Sequence, residues 1–153
     1  LAMKKDGAGE ILSFQDFGLP STAHLETVAP IARSMVHYLS KSHPDFIIIE
    51  MGDGVLGGYQ VASLFEDKKF MDCCMSMILC ANDLMGGWGA MQWLSQQGER
   101  KYPVLISGRV TDSAEGIRYI EENWNLPAGN AQESTGTICT FILESLMPWL
   151  KSE

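Results

Sequence analysis

Short, continuous apolar runs predict the strands of this chain. Such runs are typical of strands that are buried on both faces of a parallel sheet. They occupy Phe46–Glu50, Met75–Ala81 and Pro103–Ser107, and a shorter candidate covers Leu126–Ala131. Because ligands of open parallel sheets bind outside the carboxyl ends of the strands, the residues that follow each run are the first candidates for a site.

A 3.6-residue apolar period predicts helices between these runs. The predicted helices cover about Glu26–Ser40, Gly57–Glu66, Asn82–Gln97, Asp112–Asn123 and Thr135–Leu150. Ser21 or Thr22 is expected to cap the first, Asp112 or Ser113 the fourth, and Ser134 or Thr135 the last. The apolar face of the last helix is predicted to place four residues in the core, namely Ile138, Phe141, Ile142 and Met147.

The alternation of strands and helices predicts the fold class. Strands that alternate with helices at this spacing indicate βαβ units and a parallel sheet. Right-handed connections would place helices on both faces of that sheet. We therefore predict a single three-layer α/β domain over residues 1–153, with a mostly parallel sheet of four to five strands.

Composition and charge narrow the classes of partner. The chain has 153 residues, of which 46% are hydrophobic, and a formal net charge of −8. An acidic chain without long basic runs is a poor partner for nucleic acid, and none of its apolar stretches approaches the ~20 residues of a membrane span. Its four cysteines, at positions 73, 74, 80 and 139, are expected mostly as small buried apolar residues rather than disulfides or metal ligands. These features favour a cytoplasmic protein.

A glycine-rich segment after the first predicted strand allows two interpretations. Residues 52–57, from Gly52 through Gly54 to Gly57, match the G-x-G-x-x-G pattern of a dinucleotide-binding turn, which predicts NAD as ligand. Glu50 and Asp53 would repel a pyrophosphate there unless a cation intervened. In the other interpretation, Glu50 ends a buried strand and holds Mg²⁺, which bridges the phosphates of a nucleotide.

Three segments carry a resemblance to a known family. Residues 14–22 (FQDFGLPST), 48–54 (IIEMGDG) and 79–83 (LCAND) resemble the later part of bacterial P-loop proteins related to dethiobiotin synthetase and the cobyric acid synthase group. The resemblance implies an ATP-dependent enzyme of the ligase or synthetase type, which uses Mg²⁺ and ATP or GTP to act on a small molecule. It implies that Asp16 and Glu50 bind the metal and take part in catalysis. It also implies that nucleotide or substrate is bound by Ser21, Thr22, Gly52, Asp53, Gly54, Asn82 and Asp83.

The chain departs from that family in one respect. No G-x-x-x-x-G-K-[ST] phosphate-binding loop occurs in the sequence, and that loop supplies the lysine and backbone cradle for the phosphates. We therefore expect the chain to be the carboxy-terminal part of a larger P-loop-type domain and to be inactive alone. Two alternatives stay open: an NAD-binding domain that uses Gly52, Gly54 and Gly57, and a non-enzymatic module. The module would form a homodimer or associate with a missing amino-terminal segment.

Two further glycine segments follow the other predicted strands. Gly86-Gly87-Trp88-Gly89 lies in the first turns of a predicted helix, where it could present N–H groups to an anion. Close helix–strand packing is the alternative, and the one we favour. Ser107-Gly108 follows the third predicted strand and is either part of the functional edge or only a turn.

Overall fold

A computed structural model describes residues 2–52, 54–133 and 135–150, without the side chains of Ala2, Trp149 and Leu150. The chain divides into two units, Leu1–Cys73 and Cys74–Glu153. The first unit is helical and the second contains a parallel strand pair. Each unit is described by itself below.

Four helices form the regular structure of the first unit in its described residues. They are α1 (Ala2–Lys5), α2 (Ala29–Ser40), α3 (Ala62–Glu66) and α4 (Lys68–Met71). A 3₁₀ turn covers Phe14–Phe17. Residues of α2 and its N-cap, α3 and α4 meet in a small core of Val28, Ala29, Ala32, Leu64 and Phe70.

Polar contacts hold the helices of the first unit together. The backbone N–H of Val28 donates to the Ser63 hydroxyl (3.1 Å), and that hydroxyl donates to the Gln60 carbonyl (2.7 Å). An ion pair joins Arg33 of α2 to Asp67, which also caps α4. A buried N–H without a partner is costly, so these side-chain contacts determine how the helices meet.

The second unit is built on strands β1 (Met77–Cys80) and β2 (Val104–Ser107). They pair in parallel, with Met77 opposite Val104 and Cys80 opposite Ser107. Helix α5 (Leu84–Ser95) connects them, and α6 (Ala114–Trp124) and α7 (Thr135–Leu150) follow. A single parallel bridge joins Ile106 to Ala128.

The core of the second unit lies on one face of the strand pair. Leu84 and Met91 of α5 and Ile117 and Ile120 of α6 pack in one cluster with alternate residues of the strands, which are Met77, Leu79, Val104 and Ile106. Both helices therefore cover the same face. β2 is buried along its whole length, whereas β1 leaves Ile78 and Cys80 exposed.

The predicted fold class is wrong. Two paired strands are present in the described residues instead of four to five, and they do not form a three-layer sheet. Phe46–Glu50 runs without strand pairing, and its Phe46, Ile48 and Ile49 side chains are 53%, 87% and 45% exposed. A β-branched run favours extended backbone, but a strand also requires a partner for its N–H and C=O groups.

Other predicted elements are shorter than expected or differ in burial. The helix predicted from Gly57 begins only at Ala62, because a glycine-rich stretch disfavours helix. The candidate strand at 126–131 is reduced to the bridge at Ala128. Met147 of α7 is 46% exposed, although the three other residues predicted for its core face are half-buried. The expected Ser134 cap lies outside the described residues.

The cysteines also correct an expectation. Cys73, Cys80 and Cys139 are exposed and Cys74 is half-buried, so burial as small apolar residues is wrong for most of them. The thiols of Cys73 and Cys74 contact the carbonyls of Lys69 and Ser76. Among the described helices, none has both the length and the apolar character that crossing a membrane would require.

Candidate functional site

The carboxyl ends of β1 and β2 are tied together by backbone hydrogen bonds. The N–H of Ala81 donates to the Ser107 carbonyl (2.9 Å), and the N–H of Val110 donates to the Ala81 carbonyl (3.1 Å). The segments that leave the two strands therefore stay side by side. This is the edge of a parallel pair where ligands bind in open α/β proteins.

Gly108 permits this close approach of the two segments. Its φ of 88° lies in the region that favours glycine. A Cβ at this position would lie 2.7 Å from the Ala81 carbonyl oxygen and 2.9 Å from the Ala81 nitrogen. The turn after β2 therefore requires glycine, and it places Arg109 directly beyond the strand end.

Two helices begin at this edge. Asp83 caps α5, its Oδ1 accepting from the Gly86 N–H (2.7 Å), and Ser113 caps α6, its hydroxyl accepting from the Gly116 N–H (3.1 Å). The first N–H groups of a helix have no intrahelical partner, and each cap satisfies only one of them. The remaining N–H groups and the positive ends of both helix dipoles are favourable for an anion.

A pocket of about 560 Å³ opens between these helix starts. Its polar lining consists of Asp83, Arg109, Ser113 and Glu115. Its remaining lining is mostly apolar, with Leu84, Met85, Val110, Gly116 and Tyr119. Most of its lining residues are exposed, so the pocket is an open depression and not an enclosed cavity. One guanidinium, two carboxylates and two helix N-termini thus face a single pocket with an apolar side.

Hydrogen bonds fix the loop that carries Arg109. The Thr111 hydroxyl donates to the Gly108 carbonyl (2.7 Å). The Asn130 amide donates to Asp112 Oδ1 (2.9 Å) and to the Thr111 carbonyl (3.4 Å). Thr111 and Asn130 are both buried. The backbone around Arg109 is therefore held in place before any ligand arrives.

A buried hydroxyl without a partner lies at the same strand end. Ser107 is 1% exposed, and its Oγ has no hydrogen-bond partner among the described residues. Leaving a buried hydroxyl unsatisfied costs about 1–3 kcal/mol. Such groups are few in folded proteins, and a water or an ion is one of the partners that satisfy them.

Two of the residues predicted for the site lie at this edge. Asn82 and Asp83 follow β1, as predicted from the strand pattern. Asn82 is exposed, and Asp83 both caps α5 and lines the pocket. Position after a strand was the signal that identified them.

The other predicted residues belong to the first unit. Asp16 accepts from the Ser13 N–H (2.7 Å) and hydroxyl (2.9 Å), and these bonds lower the pKa of its carboxyl. Ser21 accepts from the Ala23 N–H, and Thr22 is buried and donates to the Tyr59 carbonyl (2.9 Å). Neither caps α2, whose N-cap is Val28. Ser21 therefore has a local contact and Thr22 a contact 37 residues away in place of the predicted cap.

The predicted acid and glycines around position 50 lack the expected strand before them and the expected helix after them. Glu50 is exposed and follows the unpaired Phe46–Ile49 segment. Gly54 has a φ of 70°, and Gly52 has open space around its Cα. Asp53 lies outside the described residues. The turn neither follows a paired strand nor opens a helix, which is the context that a dinucleotide-binding motif needs.

A metal cage made only of protein ligands is absent from the part of the chain that the structure describes. No group of three or more His, Cys, Asp or Glu side chains converges there. Mg²⁺ at nucleotide sites needs less, because one or two carboxylates and the phosphates suffice with water. Asp83, whose Oδ2 is not used in capping, and Glu115 meet this lesser requirement at the pocket.

Two residues that line the pocket, Arg109 and Tyr119, were not predicted from the sequence. Arg109 lies in a three-residue 3₁₀ turn (Arg109–Thr111), which has no periodic signature. The Ser107-Gly108 turn after a strand was the available signal, and it points to Arg109 as the next side chain. Tyr119 was hidden within an ordinary amphipathic helix.

The glycine run in α5 serves close packing. A Cβ on Gly87 would lie 3.1 Å from the outer ring atoms of Trp124, at the end of α6. Close packing is therefore present at Gly87, but its nearest partner is a helix and not the predicted strand.

Comparisons with known proteins identify no relative for this arrangement. No family model, curated protein or solved structure matches the chain.

Proposed function

We propose that this chain binds a nucleotide in the pocket at the carboxyl edge of β1 and β2, as part of a magnesium- and nucleotide-dependent enzyme that acts on a small molecule. One observation carries the proposal: Arg109 and the N-termini of α5 and α6 face one pocket of about 560 Å³. Together they offer a guanidinium, unpaired N–H groups and two helix dipoles to a phosphate.

The two carboxylates of the pocket support a magnesium-bound phosphate over a bare one. Asp83 and Glu115 would repel a free phosphate bound in the same pocket, and Arg109 alone offsets only one of the two charges. Mg²⁺ between a carboxylate and the phosphates removes that repulsion and is bound in this way at many nucleotide sites. When bound, the ion would neutralise phosphate charge, while Arg109 orients the phosphate and the caps keep both helix starts in position.

The reaction itself is proposed from the resemblance of the sequence. Phosphoryl transfer from ATP or GTP to a small molecule is the chemistry of the similar P-loop proteins. A cytoplasmic location without nucleic-acid or membrane partners is part of the same proposal, and the net charge of −8 supports it.

Titration calorimetry with Mg²⁺–ATP tests the proposal on the chain and on Arg109→Gln. A hydrogen bond between charged groups contributes about 1.5–3 kcal/mol, so we expect Arg109→Gln to weaken binding by ~10-fold or more. Arg118→Gln is the matched control, because Arg118 is an exposed arginine of α6 that does not line the pocket. We expect it to bind as the unmodified chain does.

Two results would contradict the proposal. Equal affinities of the Arg109→Gln and Arg118→Gln variants would show that the pocket is not the phosphate site. Equal ATP affinity with and without Mg²⁺ would remove the role given to Asp83 and Glu115.

A further inference from the structure

The pocket has an aromatic side that the phosphate proposal leaves unused. Tyr119 lines it and is 46% exposed. Met85, 72% exposed, lines the same pocket. Large apolar side chains left exposed beside polar groups often mark a ligand site.

The Tyr119 ring is held in place by its neighbours. Its centroid lies 6.1 Å from that of the Trp124 indole, and the two planes are perpendicular. Trp124 in turn packs against Gly87 of α5. In a perpendicular pair only one ring presents its face to the other. At least one face of the Tyr119 ring therefore stays uncovered by Trp124.

The position of Tyr119 along α6 separates it from the phosphate end of the pocket. It lies six residues beyond the Ser113 cap, which corresponds to about 9 Å along a helix axis. Glu115 and Tyr119 are four residues apart and share a helix face. This separation suits a ligand with an anionic group at one end and a flat ring at the other.

We infer that Tyr119 is the platform on which the base of a bound nucleotide stacks, so the pocket selects nucleoside phosphates over sugar phosphates. The inference rests on the proposed function. Stacking on an aromatic side chain tolerates any base, since every base has a π face. The pocket thus distinguishes ligands by the presence of a base, and Arg109 binds their phosphate.

Calorimetry with AMP and ribose 5-phosphate tests this assignment. The two probes share the phosphate and the sugar and differ by the base. We expect AMP to bind the unmodified chain ~10-fold more tightly than ribose 5-phosphate. Tyr119→Leu should weaken AMP binding by about the same factor and leave ribose 5-phosphate within about twofold. Tyr119→Phe keeps the ring and should retain AMP binding.

The outcomes separate this inference from the proposal beneath it. If Arg109→Gln abolishes the binding of both probes, but Tyr119→Leu and Tyr119→Phe bind AMP with the same affinity, only the stacking role of Tyr119 is contradicted. Failure of either probe to respond to Arg109→Gln overturns the phosphate site. If Tyr119→Leu does not fold, the unmodified chain still decides: equal affinities for AMP and ribose 5-phosphate contradict a base platform.

Discussion

Two apolar runs of similar composition differ in burial and in strand pairing. Val104–Ser107 forms β2, in which the four residues are at most 2% exposed. Phe46–Glu50 is richer in β-branched residues, yet its Ile48 is 87% exposed and the run is unpaired. The difference lies in their surroundings: β2 pairs with β1 and receives a bridge from Ala128.

The comparison shows that strand propensity is conditional. Propensity in sheets mostly measures packing against neighbouring strands and helices. β2 has α5 and α6 packed over one face, whereas no described residue pairs with the backbone of Phe46–Glu50. An apolar run is thus evidence for a strand only when a second run lies where it can pair.

The largest expected effect comes from truncating one isoleucine in each run. Ile106 is fully buried among Val104, Val110 and Ile120. Ile106→Ala should lower the free energy of unfolding by about 4 kcal/mol, through lost burial and the cavity left behind. Ile48→Ala should change it by less than about 0.5 kcal/mol. Urea unfolding followed by circular dichroism measures both.

Similar losses of unfolding free energy in Ile106→Ala and Ile48→Ala would contradict the difference between the two runs. A cost of several kcal/mol at Ile48 would mean that the Phe46–Glu50 run is buried in solution. Amide hydrogen exchange gives an independent measure, because the Ile106 N–H donates to the Pro127 carbonyl and should be protected.

A smaller effect is expected from the turn that follows β2. Gly108→Ala combines an unfavourable φ with a clash against the Ala81 backbone. We expect it to lower the free energy of unfolding by about 3 kcal/mol. Gly98→Ala is the matched control, since Gly98 has a φ of 99° but nothing within 4 Å of a Cβ. It should cost only about 1 kcal/mol.

The difference between these two glycine variants isolates the close approach of the strand ends. If both cost the same, contact between Gly108 and Ala81 contributes nothing beyond backbone strain. In that case the edge that carries Arg109 would be less tightly held than the distances indicate.

The elements of the second unit were predicted better than those of the first. The reason is again that pairing and packing partners decide whether a run forms an element. The runs at 77–80 and 104–107 and the helices α5 and α6 were all predicted within a few residues of their bounds. Their local patterns agree with their tertiary partners. Asp83 was identified as a site residue because it follows β1, which is a position that the pattern alone reveals.

The predictions that were wrong or missing concern contacts between residues distant in sequence, or short irregular turns. The Phe46–Glu50 strand required a partner that no local pattern specifies. Thr22 was predicted as a cap, but its hydroxyl bonds the Tyr59 carbonyl, 37 residues away. Arg109 faces the pocket because Gly108 permits a turn against Ala81. The spacing of apolar residues along the chain does not reveal this contact.

Two carboxyl groups of the first unit contribute to stability in a way that depends on pH. Asp16 and Asp67, the carboxyl groups described here whose pKa is lowered, both belong to the first unit. For Asp67 the main cause is the Phe70 N–H, and the Arg33 guanidinium adds to it. A lowered pKa in the folded state stabilises the fold above the unfolded pKa, and this contribution is lost as the pH falls through the folded value. The contributions of Asp16 and Asp67 to the stability of the first unit should therefore be lost in acid.

The smallest expected effect is the pH dependence that Asp67 adds. Asp67→Asn keeps an acceptor for the Phe70 N–H but removes the charge, so the unmodified chain should lose its advantage over this variant as the pH falls from neutral to below about 3. Arg33→Gln should keep most of the pH dependence, because the Phe70 bond is the larger cause. Hydrogen exchange resolved by residue measures the stability of each unit across this range. An advantage of the unmodified chain over Asp67→Asn that persists in acid would contradict the contribution assigned to the Asp67 carboxylate. Equal pH profiles for Arg33→Gln and Asp67→Asn would show instead that the ion pair, and not the cap, lowers the pKa of Asp67.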